Sequence, residues 1–225
     1  MNRSQNKLFK AHHNSSGLLE DLIQNEFPAR MYAWNNSTLH FRETNTSFYG
    51  YVHSGRAKVT SEQGVFYLSE GMYFCVPENI KVEGESQGLL IEQRDFNGFF
   101  QIGGPVESAG RLRYIDGCTD SLLIAPPVLG NPCLNLLNIP PGTFQSQHTH
   151  PSFRIGMILK GKGVCITPEG DSPLIQGLMF VIPAHALHSF KTKDEDLLII
   201  AYHPDSDFGP THENHPMINR TILKT

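Results

Sequence analysis

Short apolar runs separated by glycine and proline recur along the whole chain. Clear examples are YGYVHSG, GVFYL, GMYFCVP, CLNLLNIPPG, RIGMILKGKGVCI, GLMFVIP and LLIIAYHP. Runs of about 5 to 8 residues, rich in Val, Ile, Phe and Tyr and bounded by turn residues, are typical of the strands of a sandwich or barrel. The pattern therefore predicts an all-β protein.

One segment near the start has a different pattern, which favours a short helix. Ser15 or Ser16 can cap it, and Glu20 and Asp21 suit its positively charged N-terminal end. The apolar residues of the segment fall on one helical face: Leu18, Leu19, Leu22 and Ile23. We expect an amphipathic helix packed over the edge of a sheet.

The sequence repeats itself at an offset of 106 residues: GMYFCVP (71–77) aligns with GLMFVIP (177–183), Gly50 with Gly156, and Gly55 with Gly161. Glycines at matching positions suit tight turns between strands, where a positive φ is open to glycine. We expect two similar jelly-roll type barrels in tandem. The resulting division has five parts: an N-terminal extension with the helix (1–27), a first barrel (28–98), a linker (99–111), a second barrel (112–204) and a tail (205–225).

Composition and charge exclude several classes of partner. Hydrophobic residues make up 39% and charged residues 18% of the 225 positions, and the formal net charge is −4. No cluster of Lys or Arg marks a surface for nucleic acid or for an anionic membrane. The first residues lack the apolar run of a signal peptide, and no apolar stretch reaches the ~18 residues that cross a bilayer. We expect a cytoplasmic protein.

The four cysteines do not form a recognisable site. Cys75, Cys118, Cys133 and Cys165 are far apart and contain no Cys-x-x-Cys pair. Neither a zinc ribbon nor a dense disulfide framework is therefore expected, and the thiols should be reduced.

Two spaced motifs stand in the second half. The first runs through Gly142, His148, His150, Arg154 and Gly161, and the second through Gly177, Pro183, His185, His188 and Thr192. Their order and spacing resemble the two motifs of the cupin superfamily, G-x5-H-x-H-x3-4-E-x6-G and G-x5-P-x-G-x2-H-x3-N. Arg154 replaces the glutamate of the first motif, while His185 and Thr192 replace the glycine and asparagine of the second. With the internal repeat, the resemblance implies two cupin barrels in one chain, a bicupin.

The physical chemistry of the histidines points the same way. Residues i and i+2 of a strand share a face, so His148 and His150 can present two imidazoles to one ion, and His188 follows on a later strand. Three imidazoles suit Fe(II), Zn, Ni or Cu better than Mg or Ca. At the offset of 106 the first half has Arg42, Thr44 and Val82 at these positions, so it has no ligands. The alternative is that the three histidines bind no metal.

Arg154 changes the chemistry expected of the site. A guanidinium is always protonated and has no lone pair to donate, so the metal loses an anionic ligand and gains a positive neighbour. A neutral three-histidine site with an arginine beside it suits a substrate that brings its own negative charge. The alternative is an internal ion pair between Arg154 and an Asp or Glu that lines the barrel.

His185 and the C-terminal tail each carry a functional and a plain interpretation. His185 either donates and accepts protons at the barrel mouth or is a turn residue in solvent. The tail is dense in potential ligands: His203, Asp205, Asp207, His212 and His215. Their spacing matches no standard ligand pattern, so an extension packed on a barrel or on a partner subunit is preferred to a second metal site.

Three functional classes remain. The one narrowly favoured is a non-haem Fe(II) dioxygenase, with one metal per chain on His148, His150 and His188 and with Arg154 and His185 as catalytic candidates. The second is an isomerase, lyase or cyclase that uses Zn, Ni, Mn or Cu as a Lewis acid. The third is a cupin that binds a small molecule without catalysis. In each, the partner is a small molecule with a carboxylate, and monomer and homodimer are both open.

Overall fold

Short strands account for nearly all of the regular structure. The computed structural model describes residues 7–13, 15–209, 211, 221, 222 and 224. Within these residues the helical structure is a single 3-10 turn, Ile115–Gly117, and none of it is long and apolar enough to cross a membrane. The prediction of an all-β protein is confirmed.

Ten strands lie in the first half of the chain and nine in the second. The first ten are β1 (Lys10–His12), β2 (Gly17–Asp21), β3 (Ala29–Asn35), β4 (Leu39–Phe41), β5 (Thr46–Ser61), β6 (Gly64–Ser69), β7 (Tyr73–Pro77), β8 (Ile80–Glu83), β9 (Ser86–Arg94) and β10 (Gln101–Gly103). The other nine are β11 (Leu112–Arg113), β12 (Thr119–Ile124), β13 (Cys133–Ile139), β14 (Arg154–Lys160), β15 (Lys162–Thr167), β16 (Gly170–Ile175), β17 (Met179–Ile182), β18 (Ser189–Lys191) and β19 (Leu197–His203).

The prediction of a helix near the start is wrong, because this segment forms strand β2. β2 pairs antiparallel with β3, with Gly17 opposite Ala33 and Asp21 opposite Arg30. Gly17 has φ +85°, a left-handed conformation that interrupts a helix. The carboxylate of Asp21 accepts a hydrogen bond from the backbone N–H of Ile23, so it forms the turn after the strand rather than the start of a helix. A helix this short is costly to nucleate, and pairing with a sheet edge prevails.

The strands form three sheets that separate largely by position in the chain. β2 to β10 make a nine-stranded sheet. A seven-stranded sheet has the order β1-β17-β14-β19-β13-β12-β11, and a three-stranded sheet has the order β16-β15-β18. β1 is the exception, because it pairs with β17 of the second half, with Lys10 opposite Val181. The N-terminal segment therefore contacts both halves through two neighbouring strands.

The repeat in the sequence has a counterpart in the strand registers. Gly50 of β5 lies opposite Phe74 of β7, and Gly156 of β14 lies opposite Phe180 of β17. A Cβ added at Gly50 would stand 2.0 Å from Cζ of Phe74, and one at Gly156 would stand 2.3 Å from Cζ of Phe180. Both glycines are required because the end of each phenylalanine ring occupies the space that a Cβ would need.

The long apolar runs in the sequence are explained by burial on both faces of a strand. In β9, Leu90 packs in a core formed by the first half, whereas Ile91 packs in a core that contains residues of both halves. In β19, Ile199 packs in a core of the second half, and Ile200 packs in the core that contains residues of both halves. The shared core also holds a buried hydrogen bond from the Tyr202 hydroxyl to Gln93 Oε1, at 2.6 Å. The two halves thus pack face to face, as two stacked sheets do.

The cysteines are buried and unpaired: Cys75, Cys118, Cys133 and Cys165. Burial raises the pKa of Cys75 and of Cys133 to about 12, so these thiols are protonated at neutral pH. They behave as core residues, which agrees with the spacing in the sequence.

Candidate metal centre and its cavity

A short antiparallel bridge brings His148 and His188 together. The backbone N–H of His148 donates to the carbonyl of His188 at 2.9 Å, and the N–H of His188 donates to the carbonyl of His148 at 3.0 Å. Directly opposite residues in such a bridge have side chains on one face. Their ring centroids are accordingly 4.5 Å apart.

His150 completes a group of three. Its ring centroid lies 5.0 Å from that of His148 and 5.2 Å from that of His188. One ring nitrogen from each histidine can be chosen so that all three lie within 4.8 Å of one another, and among the described residues this is the only group of His, Cys, Asp or Glu that meets this criterion. The separation is close enough for a single ion to contact three imidazoles.

Hydrogen bonds at the back of two rings fix which nitrogen faces the site. Nδ1 of His148 lies 2.8 Å from the carbonyl oxygen of Ser146, and Nδ1 of His188 lies 2.9 Å from that of Ala186. A carbonyl only accepts, so each Nδ1 carries the proton and each Nε2 keeps its lone pair. Metal-bound histidines usually make such a bond with the second nitrogen, so the arrangement fits a metal ion.

The surroundings keep the imidazoles of His150 and His188 neutral. Burial lowers the pKa of His150 to about 3, helped by the positive charge of Arg154. Burial also lowers the pKa of His188 to about 4, against the hydrogen bond to Ala186, which raises it. A metal ion therefore does not compete with protons for these two nitrogens near neutral pH.

The three histidines line a cavity of ≈ 300 Å³ in the second half of the chain. Much of its wall is apolar, and Phe180, Ile182, Phe190 and Ile199 form that part. A second, more open cavity adjoins it and shares His150, Arg154 and other residues with the first. The chain segment 205–208 lines only this outer cavity. The site is thus a pocket beside the histidines that opens towards the C-terminal segment.

Arg154 begins β14 and is buried, with 9% of its surface exposed. Its Nη1 donates to the carbonyls of Ser152 and Phe153, at 3.2 and 3.0 Å, and to the Ser152 hydroxyl. Asp205 Oδ1 lies 3.6 Å from the same nitrogen, and the Ser152 hydroxyl bonds to that carboxylate. The side chain lines both cavities, so Arg154 faces the site and also has the protein carboxylate that the alternative interpretation required.

Comparison with known proteins assigns this architecture to a known fold. No protein-family model matches the sequence, and no curated protein matches it. Among solved structures, a cupin 2 conserved barrel domain protein from Leptotrichia buccalis is 15% identical, with 88% of this chain and 89% of that chain covered and a TM-score of 0.58. The chain has a cupin fold.

Two other solved structures match with similar scores. Protein Ylba from E. coli is 19% identical, with 91% of this chain and 86% of that chain covered and a TM-score of 0.61. A mutant of salicylate 1,2-dioxygenase from Pseudoaminobacter salicylatoxidans, in complex with gentisate, is 10% identical, with 78% of this chain and 68% of that chain covered and a TM-score of 0.61. At these identities the similarity is one of fold, and function has to be argued from the site.

The residues of the two motifs lie at the start of a strand and in turns between strands. Arg154, in place of the motif glutamate, is the first residue of β14, opposite Ile182 of β17. Gly161 has φ +80°, and a Cβ there would stand 1.8 Å from the carbonyl oxygen of Asp196. Gly177 has φ +82°. The motif glycines therefore make the turns between strands, while the histidines face the cavity.

His185 lies in the turn that precedes His188. Its side chain is exposed, and it lies outside the set of described residues that line the two cavities. It has φ +60°, and its backbone N–H donates to the carbonyl of His150 at 2.8 Å. This position supports the plain interpretation, in which His185 is a turn residue whose backbone helps to hold His150.

His203, one of the potential ligands near the C-terminus, belongs to the cavity. It ends β19, lines both cavities, and its ring centroid is 6.4 Å from that of His150. Burial holds its pKa well below its usual value. The alternation of a strand could have revealed it, because Ile199, Ala201 and His203 share one face. His212 and His215 lie outside the described residues.

Two further polar residues of the cavity were missed. Asp120 of β12 and Asn135 of β13 both line it, and Asn135 Nδ2 donates to Asp120 Oδ1 at 2.9 Å. Burial raises the pKa of Asp120 to about 6, against the hydrogen bond from Asn135, which lowers it. The available signal was an asparagine within an otherwise apolar strand, as at Asn135 in CLNLLNI (133–139).

Proposed function

We propose that this protein is a metal-dependent cupin enzyme that acts on a small anionic organic molecule, as a non-haem Fe(II) dioxygenase. The observation that carries the proposal is the group formed by His148, His150 and His188 beside a cavity large enough for a small ligand. Three neutral imidazoles suit transition metals, and Zn, Ni, Mn and Cu are alternatives to iron. Iron bound there would supply the redox chemistry of an oxygenase.

The charge of the cavity supports an anionic substrate. Imidazole ligands carry no negative charge, so a divalent ion bound by them keeps a charge of +2. Arg154 adds a second positive group that lines the same cavity. Asp205 is 3.6 Å from the guanidinium, which is longer than a direct charge-assisted hydrogen bond. The role proposed for Arg154 is to hold a substrate carboxylate and so to orient the substrate beside the metal.

The proposal includes one metal ion per chain, held by the second of two cupin units at about 28–98 and 112–204. In the first unit the positions that correspond to the histidines are Arg42, Thr44 and Val82. Arg42 and Thr44 are exposed, and Val82 is fully buried among apolar residues. The first unit is then a scaffold that supports the second through the shared core.

The metal is tested by mass spectrometry of untagged protein, because a histidine tag binds metals itself. We expect one equivalent of a transition metal per chain, which the double variant His148→Ala with His150→Ala loses. The matched control is His40→Ala with His53→Ala, two histidines of the first half, and it should keep the metal. Two tightly bound equivalents, or metal retained after loss of His148 and His150, would overturn the proposal.

A second candidate is a non-oxidative enzyme that uses the metal as a Lewis acid. It is favoured by Asp120, a cavity carboxyl whose pKa of about 6 suits the transfer of protons near neutral pH. Oxygen consumption by the iron-loaded protein with a panel of carboxylic acids supports the dioxygenase. Turnover without O2, in protein loaded with Zn, Ni or Mn, supports the Lewis-acid enzyme instead.

A further inference from the structure

Two buried polar atoms in the wall of the histidine cavity have no hydrogen-bond partner within the described residues: Nε of Arg154 and Oδ1 of Asn135. Both side chains line the same cavity. Buried polar groups in folded proteins are nearly always hydrogen-bonded, so we expect each atom to bond to a group outside the described residues, such as a ligand. Nε is a donor and Oδ1 is an acceptor, so a ligand that carries both an acceptor and a donor would complement them.

The direction of the Asn135 amide follows from its neighbour. An ionised carboxylate only accepts hydrogen bonds, so Asp120 must face the NH₂ group of Asn135, and the 2.9 Å contact joins these two groups. The carbonyl oxygen of the amide is then left without a donor. Asn135 and Asp120 together present acceptor oxygens to the cavity. Because the bond between them uses the NH₂ group of Asn135, the carbonyl of Asn135 stays free and favours a ligand that donates a hydrogen bond.

The remaining wall near these polar groups is apolar. Leu137 follows Asn135 by two residues and so lies on the same face of β13. Phe180, Ile182 and Ile199 line the same cavity from β17 and β19. A ligand that reaches both polar groups therefore passes an apolar surface, and its body should be a ring or a short hydrocarbon chain.

We propose that the cavity binds a carboxylic acid that also carries a hydroxyl or amino group, with the carboxylate at Arg154 and the donor group at Asn135 and Asp120. This inference rests on the proposed function, since it assigns the substrate class of the same site. Asn135 is then a specificity-determining residue: it distinguishes an acid with a donor group from the same acid without one. A site with a buried acceptor rejects the ligand that lacks the donor, because the acceptor then stays unpaired.

The experiment compares matched acids by isothermal titration calorimetry on the protein as purified. The probes are benzoate with meta-hydroxybenzoate and meta-aminobenzoate, and hexanoate with its terminal hydroxy and amino derivatives. We expect the donor-bearing member of at least one series to bind about tenfold more tightly than the unsubstituted acid. The hydroxy and amino arms show which donor the site accepts, and a preference for either supports the inference.

Variants connect the preference to the residue. Asn135→Leu should reduce the preference to less than about twofold. The matched control is Asn138→Leu, a change of the same type on the same strand at a position that does not line the cavity, and it should keep the preference. Asp120→Asn is the second test if Asn135→Leu does not fold, and it should also weaken the preference.

Equal binding of the paired acids to the unmodified protein, absence of binding by all probes, or a preference that survives Asn135→Leu would overturn the inference. These outcomes are separate from failure of the proposed function. Metal content and turnover are measured independently, and Arg154, Asn135 and Asp120 lie outside the proposed group of metal ligands. If the protein shows the preference but holds no metal, the inference about Asn135 stands and the proposal of a metal-dependent enzyme fails.

Discussion

Substitution of Gly156 by alanine should lower both the stability of the second half of the chain and the affinity of the proposed metal site. A Cβ at this position would stand 2.3 Å from Cζ of Phe180 and 2.8 Å from Cε1. Carbon atoms in contact prefer about 3.5 to 4.0 Å, so the ring or the strand must move by roughly 1.2 Å or more. Phe180 is 2% exposed, so its ring can move only against buried neighbours or into the histidine cavity that it lines.

The expected loss of stability follows from overpacking. Additional atoms forced into a well-packed core cost about 1 to 3 kcal/mol, occasionally more. For a chain of this size, each kcal/mol lowers the melting temperature by about 2 to 4 °C, so the variant should melt roughly 2 to 12 °C lower. Urea unfolding measures the free energy, and a thermal scan checks the shift in melting temperature.

The metal site should weaken as well, because the rings form a chain of contacts. The Phe180 and Phe190 centroids are 6.2 Å apart, and Phe190 lies 5.7 Å from the ring of His188. Displacement of Phe180 therefore disturbs the packing behind a proposed ligand. Changes to the groups that support metal ligands lower metal affinity about 10- to 100-fold, and we expect a loss near the lower end.

The repeat supplies a matched control in Gly50→Ala. A Cβ there would stand 2.0 Å from Cζ of Phe74, so the first half should be destabilised to a similar or greater degree. Its core holds no proposed ligand, so metal affinity should stay within about twofold of the unmodified protein. If Gly156→Ala leaves the unfolding free energy unchanged, or if Gly50→Ala weakens metal binding equally, the packing explanation is refuted.

Three other predictions follow from single contacts. Arg154→Gln should weaken binding of a carboxylate ligand by about 10- to 150-fold, because a charge-assisted hydrogen bond contributes about 1.5 to 3 kcal/mol, while metal content stays the same; titration calorimetry and metal analysis test this. Burial raises the pKa of Asp120 to about 6 in the folded chain, above its ordinary value, so this group favours the folded state at low pH and loses that contribution as pH rises through about 6. The unmodified protein should therefore gain stability relative to Asp120→Asn between pH 7 and 4.5, and a constant difference in urea unfolding would contradict this. Tyr202→Phe should cost about 1 to 3 kcal/mol in the same assay, because it leaves Gln93 Oε1 buried without its donor between the two halves; an unchanged unfolding free energy would show that the bond contributes little.

The sequence by itself determined features that depend on local spacing. Strand alternation is enough to place His148 and His150 on one face, and glycine is needed where a turn or a neighbouring ring leaves no space for a Cβ, as at Gly156 and Gly161. Such requirements act within a few residues or between paired strands, so they leave a trace in the order of residues. The all-β class and the group of three histidines could therefore be predicted.

Tertiary structure alone decided the features that join distant segments. The segment with Gly17 and Asp21 looked helical because its apolar spacing fits a helix, but a free sheet edge at β3 offered it backbone hydrogen bonds that an isolated short helix lacks. Arg154 was expected to meet an anion, yet only the folded chain shows that Asp205 lies beside it. Asn135 meets Asp120 across two strands whose register no local pattern specifies. Pairing between strands is set by the burial of whole faces, and this is why the contact between Asn135 and Asp120 in the cavity wall could not be predicted from the sequence.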